Sequence, residues 1–390
     1  MDEMLGSAEA AQLLGVKVST LYAYVSRGIL RSQRGARGHK SLYSVSELES
    51  FAARTRGSRI NEPAYATTST SETDASDAGQ RYRGTLATEL VHEPFESVAD
   101  LLWKSPPGEW IPYRLTIPSE VATRDVVSVV AAMLGSFDAL RSDRRPEAVV
   151  RAARRLIATV PESLVGERAT SDTASVPIAE RLAQWMVGGR PDQKLVAAVN
   201  ATLVLLADNE ESTPTVGVVL AASRHADLYD AVLAGLGILG GRLHGPFSEL
   251  ALKLLVDAAE HGADLAVDGA LRWTANLPGF GSRGYPLGDP RFTALKPFLD
   301  DLLSPADREV LDSVVGVAAR HELPAPNVDL AVAALVRSVG TDPNSGFVLL
   351  ALARIAGWVA HYLEEIQEPD EGRRLSTIYV APRLEQPRRP

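Results

Sequence analysis

Residues 346–366 read GFVLLALARIAGWVAHYLEEI. Apolar side chains recur at i, i+3, i+4 and i+7, which is the spacing of an α-helix. Arg354 stands inside this otherwise apolar helix. A buried guanidinium needs an anionic partner, and a carboxylated ligand would serve as one. The same spacing recurs outward from this stretch, in VVSVVAAMLGSFDALRS (126–142), AVVRAARRLIATV (148–160), LVAAVNATLVLLA (195–207), DLYDAVLAGLGILGG (227–241) and FSELALKLLVDAAEHG (247–262). Gly and Pro punctuate between these segments, and no alternating strand series of any length appears. The expectation is an all-α body built from many packed helices, with no repeat at a fixed period.

The chain has 390 residues, of which 45% are hydrophobic and 23% charged, ordinary values for a globular protein of two or three domains. It has no cysteine, so a disulfide framework, a thiolate metal site and a cysteine nucleophile are all excluded. The opening MDEMLGSAEA lacks the apolar core of a secretory signal. No uninterrupted apolar run approaches the length of a membrane span. A cytoplasmic protein that avoids membranes is the expectation. Net charge is −9, unevenly spread: residues 1–57 hold eight Lys/Arg against five Asp/Glu, and the remainder holds 32 against 44. A basic head on an acidic body points to two functions.

Residues 58–80, SRINEPAYATTSTSETDASDAGQ, are rich in Ser, Thr, Asp and Ala. Too few large apolar groups are present to repay the entropy of ordering, so a flexible linker is expected between a head, 1–57, and a body, 81–390. In the head, SAEAAQLLG (7–15) reads as a short helix with Ser7 as its N-cap and Gly15 ending it. A turn at Val16–Val18 leads to a second helix, STLYAYVSRG (19–28). A basic, Gly-rich hairpin over 30–43 and a third helix, SVSELESFAARTR (44–56), complete the unit. Two helices joined by a tight turn suit the major groove of double-stranded DNA. Ser19, Thr20, Tyr22 and Arg27 would face base edges, while Arg31, Arg34, Arg37 and Lys40 would neutralise phosphates. With its A-x-x-L-G-V-x-x-x-T-L-Y-x-Y pattern and basic wing, the head resembles the winged helix-turn-helix of excisionase and MerR-type regulators. The same residues are compatible with a head that binds protein instead.

In the body, the dense Pro and Gly of LPGFGSRGYPLGDPR (277–291) force an irregular loop, the kind that lines sites when rigid helices position it. Asp329, in PNVDL (326–330), begins an apolar helix and reads either as its N-cap or as a functional carboxylate. His244 follows a Gly-rich helix end in LGGRLHG (239–245). Most of the seven histidines are expected at the surface or at helix ends.

Seven stretches occur in the order found in the citrate synthase family, and the body resembles that family from about residue 81 to 383. They are RYRGTLATELVHEPFESVADLLW (81–103), LVLLADNEESTPT (203–215), LGGRLHG, PGFGSRGYPLGDPR (278–291), PNVDL, ARIAGWVAHYLEE (353–365) and GRRLSTIYVAPR (372–383). The resemblance implies a large helical domain with a small subdomain at roughly 220–325. It implies that Asp329 removes a proton from the α-carbon of an acyl thioester and that His244 donates a hydrogen bond to the thioester oxygen. Arg291, Arg354 and Arg374 would hold the carboxylates of an oxo acid, with Arg374 crossing a subunit boundary in a homodimer. The chemistry suits these residue types. A carbon acid is weak, so its base must sit close and its enolate needs a preorganised donor. Guanidinium groups clamp carboxylates bidentately. Acetyl-CoA or another acyl-CoA would be a substrate or ligand, with no metal and no permanently bound cofactor.

Three departures stand out. The family's histidine in G-F-G-H is Ser282 here, which leaves a hydroxyl in the catalytic set where the family has an imidazole. The oxo-acid-binding histidine in A-D-H-E is Asn209. Both keep a hydrogen-bond donor and lose a switchable charge. After His244 the usual G-G-A-N is Gly245-Pro246-Phe247-Ser248. Tyr285 and His225 are candidates to supply the missing acid. Two readings follow: an acyltransferase condensing acetyl-CoA or a short acyl-CoA with oxaloacetate or a related 2-oxo acid, or a transcription regulator whose degenerate synthase body binds such ligands and positions two heads on DNA.

Overall fold

The computed structural model describes residues 4–7, 10–11, 21, 25, 33–34, 41–44, 48, 70–74, 79–166, 175–210, 212–241 and 247–367. The chain divides into a smaller unit that includes Met1–Thr67 and a larger one, Thr68–Arg373.

In the smaller unit, β1 (Met4–Gly6), β2 (Gln33–Arg34) and β3 (Ser41–Ser44) form an antiparallel sheet in the order β1-β3-β2. The expected basic hairpin is the β2–β3 pair, in which Gln33 faces Leu42 and Arg34 faces Ser41. Strand β1, which the sequence reading did not anticipate, covers the other edge of β3. Ala10, Ala11, Leu21, Tyr43 and Leu48 form the unit's own small core, with Leu5 and Val25 packed against it. Ser19, Thr20, Tyr22, Arg27, Arg31, Arg37 and Lys40 lie outside the described residues. Arg34 is described only as backbone in β2.

The larger unit opens with a second antiparallel sheet, β4 (Ser71–Asp74), β5 (Gly79–Tyr82) and β6 (Thr85–Leu86). This corrects the expected linker at its C-terminal end. Ser71 pairs with Tyr82 across the sheet, and Ser71, Gln80 and Tyr82 are buried. A polar stretch is ordered here because its backbone bonds are met by a neighbouring strand and its hydroxyl by a buried carboxylate, not because it buries apolar surface of its own.

Thirteen α-helices follow among the described residues. They are α1 (Phe95–Trp103), α2 (Val126–Phe137), α3 (Pro146–Val165), α4 (Ile178–Val187), α5 (Gln193–Leu206), α6 (Thr213–Ala222) and α7 (Leu228–Leu239), then α8 (Phe247–His261), α9 (Ala263–Trp273), α10 (Pro290–Leu302), α11 (Pro305–Arg320), α12 (Val328–Val339) and α13 (Ser345–Glu365). The starts follow the expected chemistry. Asp192, Asp227, Asp289, Ser304 and Asn327 accept hydrogen bonds from first-turn N–H groups. Proline occupies the first turn of α3, α6, α10 and α11, where its missing N–H has no partner to lose.

Helix α13 is the axis of the core. It packs against α1, α3, α5, α6 and α7, and nearly every residue from Ser345 to Leu363 is buried. Its mean hydropathy of 1.5 over 18 residues makes it long and apolar enough to cross a membrane by that measure, although Arg354 and His361 keep it from being an uninterrupted apolar run. Here the other helices take the place of lipid: 94% of that window is buried inside the protein.

Candidate active site

Three residues on α13 share one face at helical spacing: Arg354, Gly357 and His361. The end of α5 lies on that face. The Gly357 N–H donates to the Ala207 carbonyl at 2.9 Å, and a Cβ at position 357 would collide with the Asp208 carboxylate. Glycine is therefore required by close approach. Asp208 is fully buried. Its Oδ2 accepts from the Ser71 hydroxyl and, at 3.2 Å, from the Glu210 N–H. The same oxygen lies 3.2 Å from His361 Nε2. Burial alone would raise the Asp208 pKa; His361, Arg354 and Ser71 together hold it below the ordinary carboxylate range. Arg354, 5% exposed, is the reverse case. Burial pulls its pKa down, with Asp208 and Tyr82 opposing. Its Nε has no hydrogen-bond partner among the described residues.

A second group is assembled by two loops. In the 277–291 loop, Gly279 has φ of 81°, and a Cβ there would press on Leu330. The loop is stitched to the segment before α12. The Asn327 N–H donates to the Gly279 carbonyl at 2.9 Å, the Gly281 N–H to the Ala325 carbonyl at 2.8 Å, and the Asn327 side chain to the Gly281 carbonyl at 2.8 Å. Asp289 joins the starts of two helices by accepting from the N–H of Arg291 on α10 and of Val328 on α12, both at 3.0 Å. It also holds the Arg291 guanidinium bidentately, at 2.9 Å to Nε and 2.8 Å to Nη2. Arg291 is thus already paired along one edge, and it lies 5.1 Å over the Tyr285 ring. Burial would lower its pKa, but Asp289, Tyr285 and Asp329 keep it above the usual value.

Asp329 is not the cap of α12; Asn327 is, accepting from the Asp329 N–H at 3.0 Å. The half-buried Asp329 side chain sits in the first turn, in the electrostatic reach of Asp289, Arg291 and Arg354. Burial pushes its pKa up to about 6; Arg291 and Arg354 pull it back, and Asp289 adds to the rise. The structure therefore brings Asp329, Arg291 and Arg354, far apart in sequence, into one neighbourhood.

Beside them opens a cleft of 390 Å³ whose wall includes Asn209, Ser282, Tyr285 and Arg291. Asp329 and Arg354 are not among its lining residues. Tyr285 shares the cleft with Ser282, whereas His225 is exposed in the turn after α6 and does not line it. His244 and Arg374 lie outside the described residues. Of the described histidines, His92, His225, His261 and His321 are exposed as expected, and His361 is the exception, 3% exposed. Ser71, Tyr82, Asp208 and Asp289 were not singled out from the sequence. The spacing of Arg354, Gly357 and His361 shows in the sequence that they share one helix face, but not that Asp208 packs on it. Among the described residues no group of three His, Asp or Glu side chains is arranged to hold a metal ion.

The model of the citrate synthase C-terminal domain matches residues 107–377, and that of a helix-turn-helix domain matches residues 4–56. Citrate synthase 2 of Bacillus subtilis (strain 168) is 29% identical over 246 residues, 60% of this chain and 66% of its own length. Citrate synthase 1 of Mycobacterium tuberculosis (strain ATCC 25618 / H37Rv) is 32% identical over 197 residues, 46% of this chain and 45% of its own. The chain thus spans between about half and two-thirds of these two relatives. Solved structures share the fold. Citrate synthase from Thermotoga maritima MSB8 superposes with a TM-score of 0.65 at 23% identity, over 83% of this chain and 95% of that one. The Thermoplasma acidophilum citrate synthase, in ternary complex with carboxymethyl coenzyme A and oxaloacetate, gives 0.68 at 22% identity, over 85% and 97%. With more than half of its length matched by the family model, this chain belongs to the citrate synthase family.

Proposed function

We propose that the body is an acyltransferase that condenses acetyl-CoA, or another short acyl-CoA, with oxaloacetate or a related 2-oxo acid. The observation that carries this reading is Asp329, a carboxylate raised to about 6 and placed within the field of two buried arginines. Such a group is mostly ionised near neutrality yet basic enough to remove a proton from carbon. In this reading Asp329 takes the α-proton of the acyl thioester, and His244 donates to the enol oxygen. The enol carbon then attacks the ketone carbon of the oxo acid, and the resulting alkoxide takes up a proton from water to become the product hydroxyl. Arg291, Arg354 and a partner subunit's arginine at position 374 hold the carboxylates, and hydrolysis of the thioester releases CoA. Asn209 and Ser282 on the cleft wall serve as neutral donors to the oxo acid. A homodimer belongs to this reading, because the arginine at position 374 would come from the partner subunit. The test is CoA release from acetyl-CoA with oxaloacetate, abolished in Asp329→Ala. No release above background at high protein concentration rejects the reading.

A second reading is favoured by a specific observation. The two cleft positions held by histidine in the family are Asn209 and Ser282, neither of which can become a cation near neutral pH. A body that binds an acyl-CoA or carboxylate without efficient turnover, joined to a helix-turn-helix head, is a ligand-sensing regulator of transcription. Salt-sensitive binding to double-stranded DNA, weakened by Arg34→Ala with Arg37→Ala, supports it. Indifference of the intact chain to that double change counts against it.

A further inference from the structure

Ser71 and Tyr82 face each other as one rung of the β4–β5 ladder, and both reach the same residue. The Tyr82 hydroxyl donates to the Val204 carbonyl at 3.0 Å and accepts the Asp208 N–H at 3.2 Å. The Ser71 hydroxyl donates to Asp208 Oδ2, the oxygen that also meets the Glu210 N–H and His361. Among the described residues, every hydrogen bond to this carboxylate therefore falls on one oxygen. Oδ1 has no hydrogen-bond partner among the described residues, and neither has Arg354 Nε. A buried carboxylate and a buried guanidinium lie within electrostatic reach of each other, yet among the described residues no salt bridge joins them. Left to themselves, such groups would pair, because an unpaired charge in a dry site is costly.

We propose that Ser71 is a positioning residue: with His361 it holds Asp208 off Arg354, so that the guanidinium stays open for a carboxylate of the ligand. Ser71 lies ahead of the 107–377 stretch that matches the family model. The N-terminal hairpin thus belongs to the ligand-binding apparatus of this chain. Tyr82 fixes the backbone of the same turn, whose next two residues, Asn209 and Glu210, form part of the cleft wall. The inference rests on the reading that the cleft takes a 2-oxo dicarboxylate.

The test is a double-mutant cycle on the full chain, with oxaloacetate binding followed by calorimetry and folding by thermal denaturation. Ser71→Ala frees the Asp208 carboxylate to turn onto Arg354, and oxaloacetate affinity falls by about tenfold or more, the scale of one hydrogen bond to a charged group. Ser71→Thr keeps the hydroxyl and restores affinity to within about threefold. In an Asp208→Asn background no carboxylate competes for Arg354, and adding Ser71→Ala changes affinity less than about twofold. A purely structural serine would lower thermal stability and affinity in both backgrounds by the same factor. That result, or a Ser71→Ala chain that binds oxaloacetate as the wild type does, overturns the inference and leaves the ligand reading intact. If Asp208→Asn fails to fold, failure of Ser71→Thr to restore affinity overturns it equally. Wild-type protein that binds no oxaloacetate overturns both.

Discussion

Asp329→Asn separates a carboxylate kept for chemistry from one kept for stability. Burial lifts the group from 3.8 to about 6, first through loss of water and then through Asp289, against the pull of Arg291 and Arg354. A carboxylic acid raised in the folded state binds its proton more tightly there than in the unfolded chain. Its contribution therefore favours folding below about pH 4 and is lost as pH climbs toward about 6. At about 1.4 kcal/mol per pKa unit, the ionised carboxylate destabilises the fold by about 3 kcal/mol at pH 7.5. The side chain keeps some contact with solvent, which trims this toward about 2 kcal/mol. Asparagine has nearly the same shape and no charge. The variant should be more stable than the wild type by about 2–3 kcal/mol at pH 7.5 and by only about 1 kcal/mol at pH 4.5. In thermal unfolding this is a rise of roughly 5–10 °C at the higher pH and roughly 2–4 °C at the lower. Condensation activity should disappear in the same variant. An asparagine chain no more stable than the wild type at pH 7.5, or equally stabilised at both pH values, would refute the reasoning, because the charge would then be well solvated or well paired.

Four further outcomes are expected. CoA release by the wild type should rise with pH through a midpoint near 6, since Asp329 must be ionised to act as a base; a flat profile from pH 5 to 8 excludes it from that role. Arg354→Met should weaken oxaloacetate binding by about 2 kcal/mol or more, roughly 30-fold, in calorimetry, because a charged clamp is lost from a dry site. Gly357→Ala drives a methyl group into the Asp208 carboxylate and should lower stability by about 1–3 kcal/mol, read as a fall in melting temperature. Replacing Arg34 and Arg37 together by alanine should flatten the dependence of DNA affinity on salt by about two phosphate contacts, measured by titration at several salt concentrations.

Much of the architecture was legible along the chain because a helix advertises itself locally. The 346–366 stretch shows its buried face through side-chain spacing alone, and its arginine stands out against that background. The Pro- and Gly-rich loop at 277–291 was legible as irregular for the same reason. The hairpin at 71–86 was not. Its first strand, Ser-Glu-Thr-Asp, has the composition of a linker, and only a neighbouring strand and the Asp208 carboxylate give those polar groups partners. His361 was hidden among six other histidines, since nothing near it in sequence tells that a carboxylate from residue 208 will arrive beside it. Asp289 was hidden likewise: it serves as an N-cap to its own helix and reaches a second helix start 39 residues away.

What the linear chain determined was the helical body, the basic head, the family and the residue types at the candidate site, all of which follow from local periodicity, composition and ordered motifs. Tertiary structure alone decided which of those groups are buried together. It set Asp329 within electrostatic reach of two guanidinium groups, tied Arg291 to Asp289, and left Arg354 Nε without a hydrogen-bond partner among the described residues. Charge and pKa in a site depend on distance and on the exclusion of water, and both are set only when segments remote in sequence pack against one another.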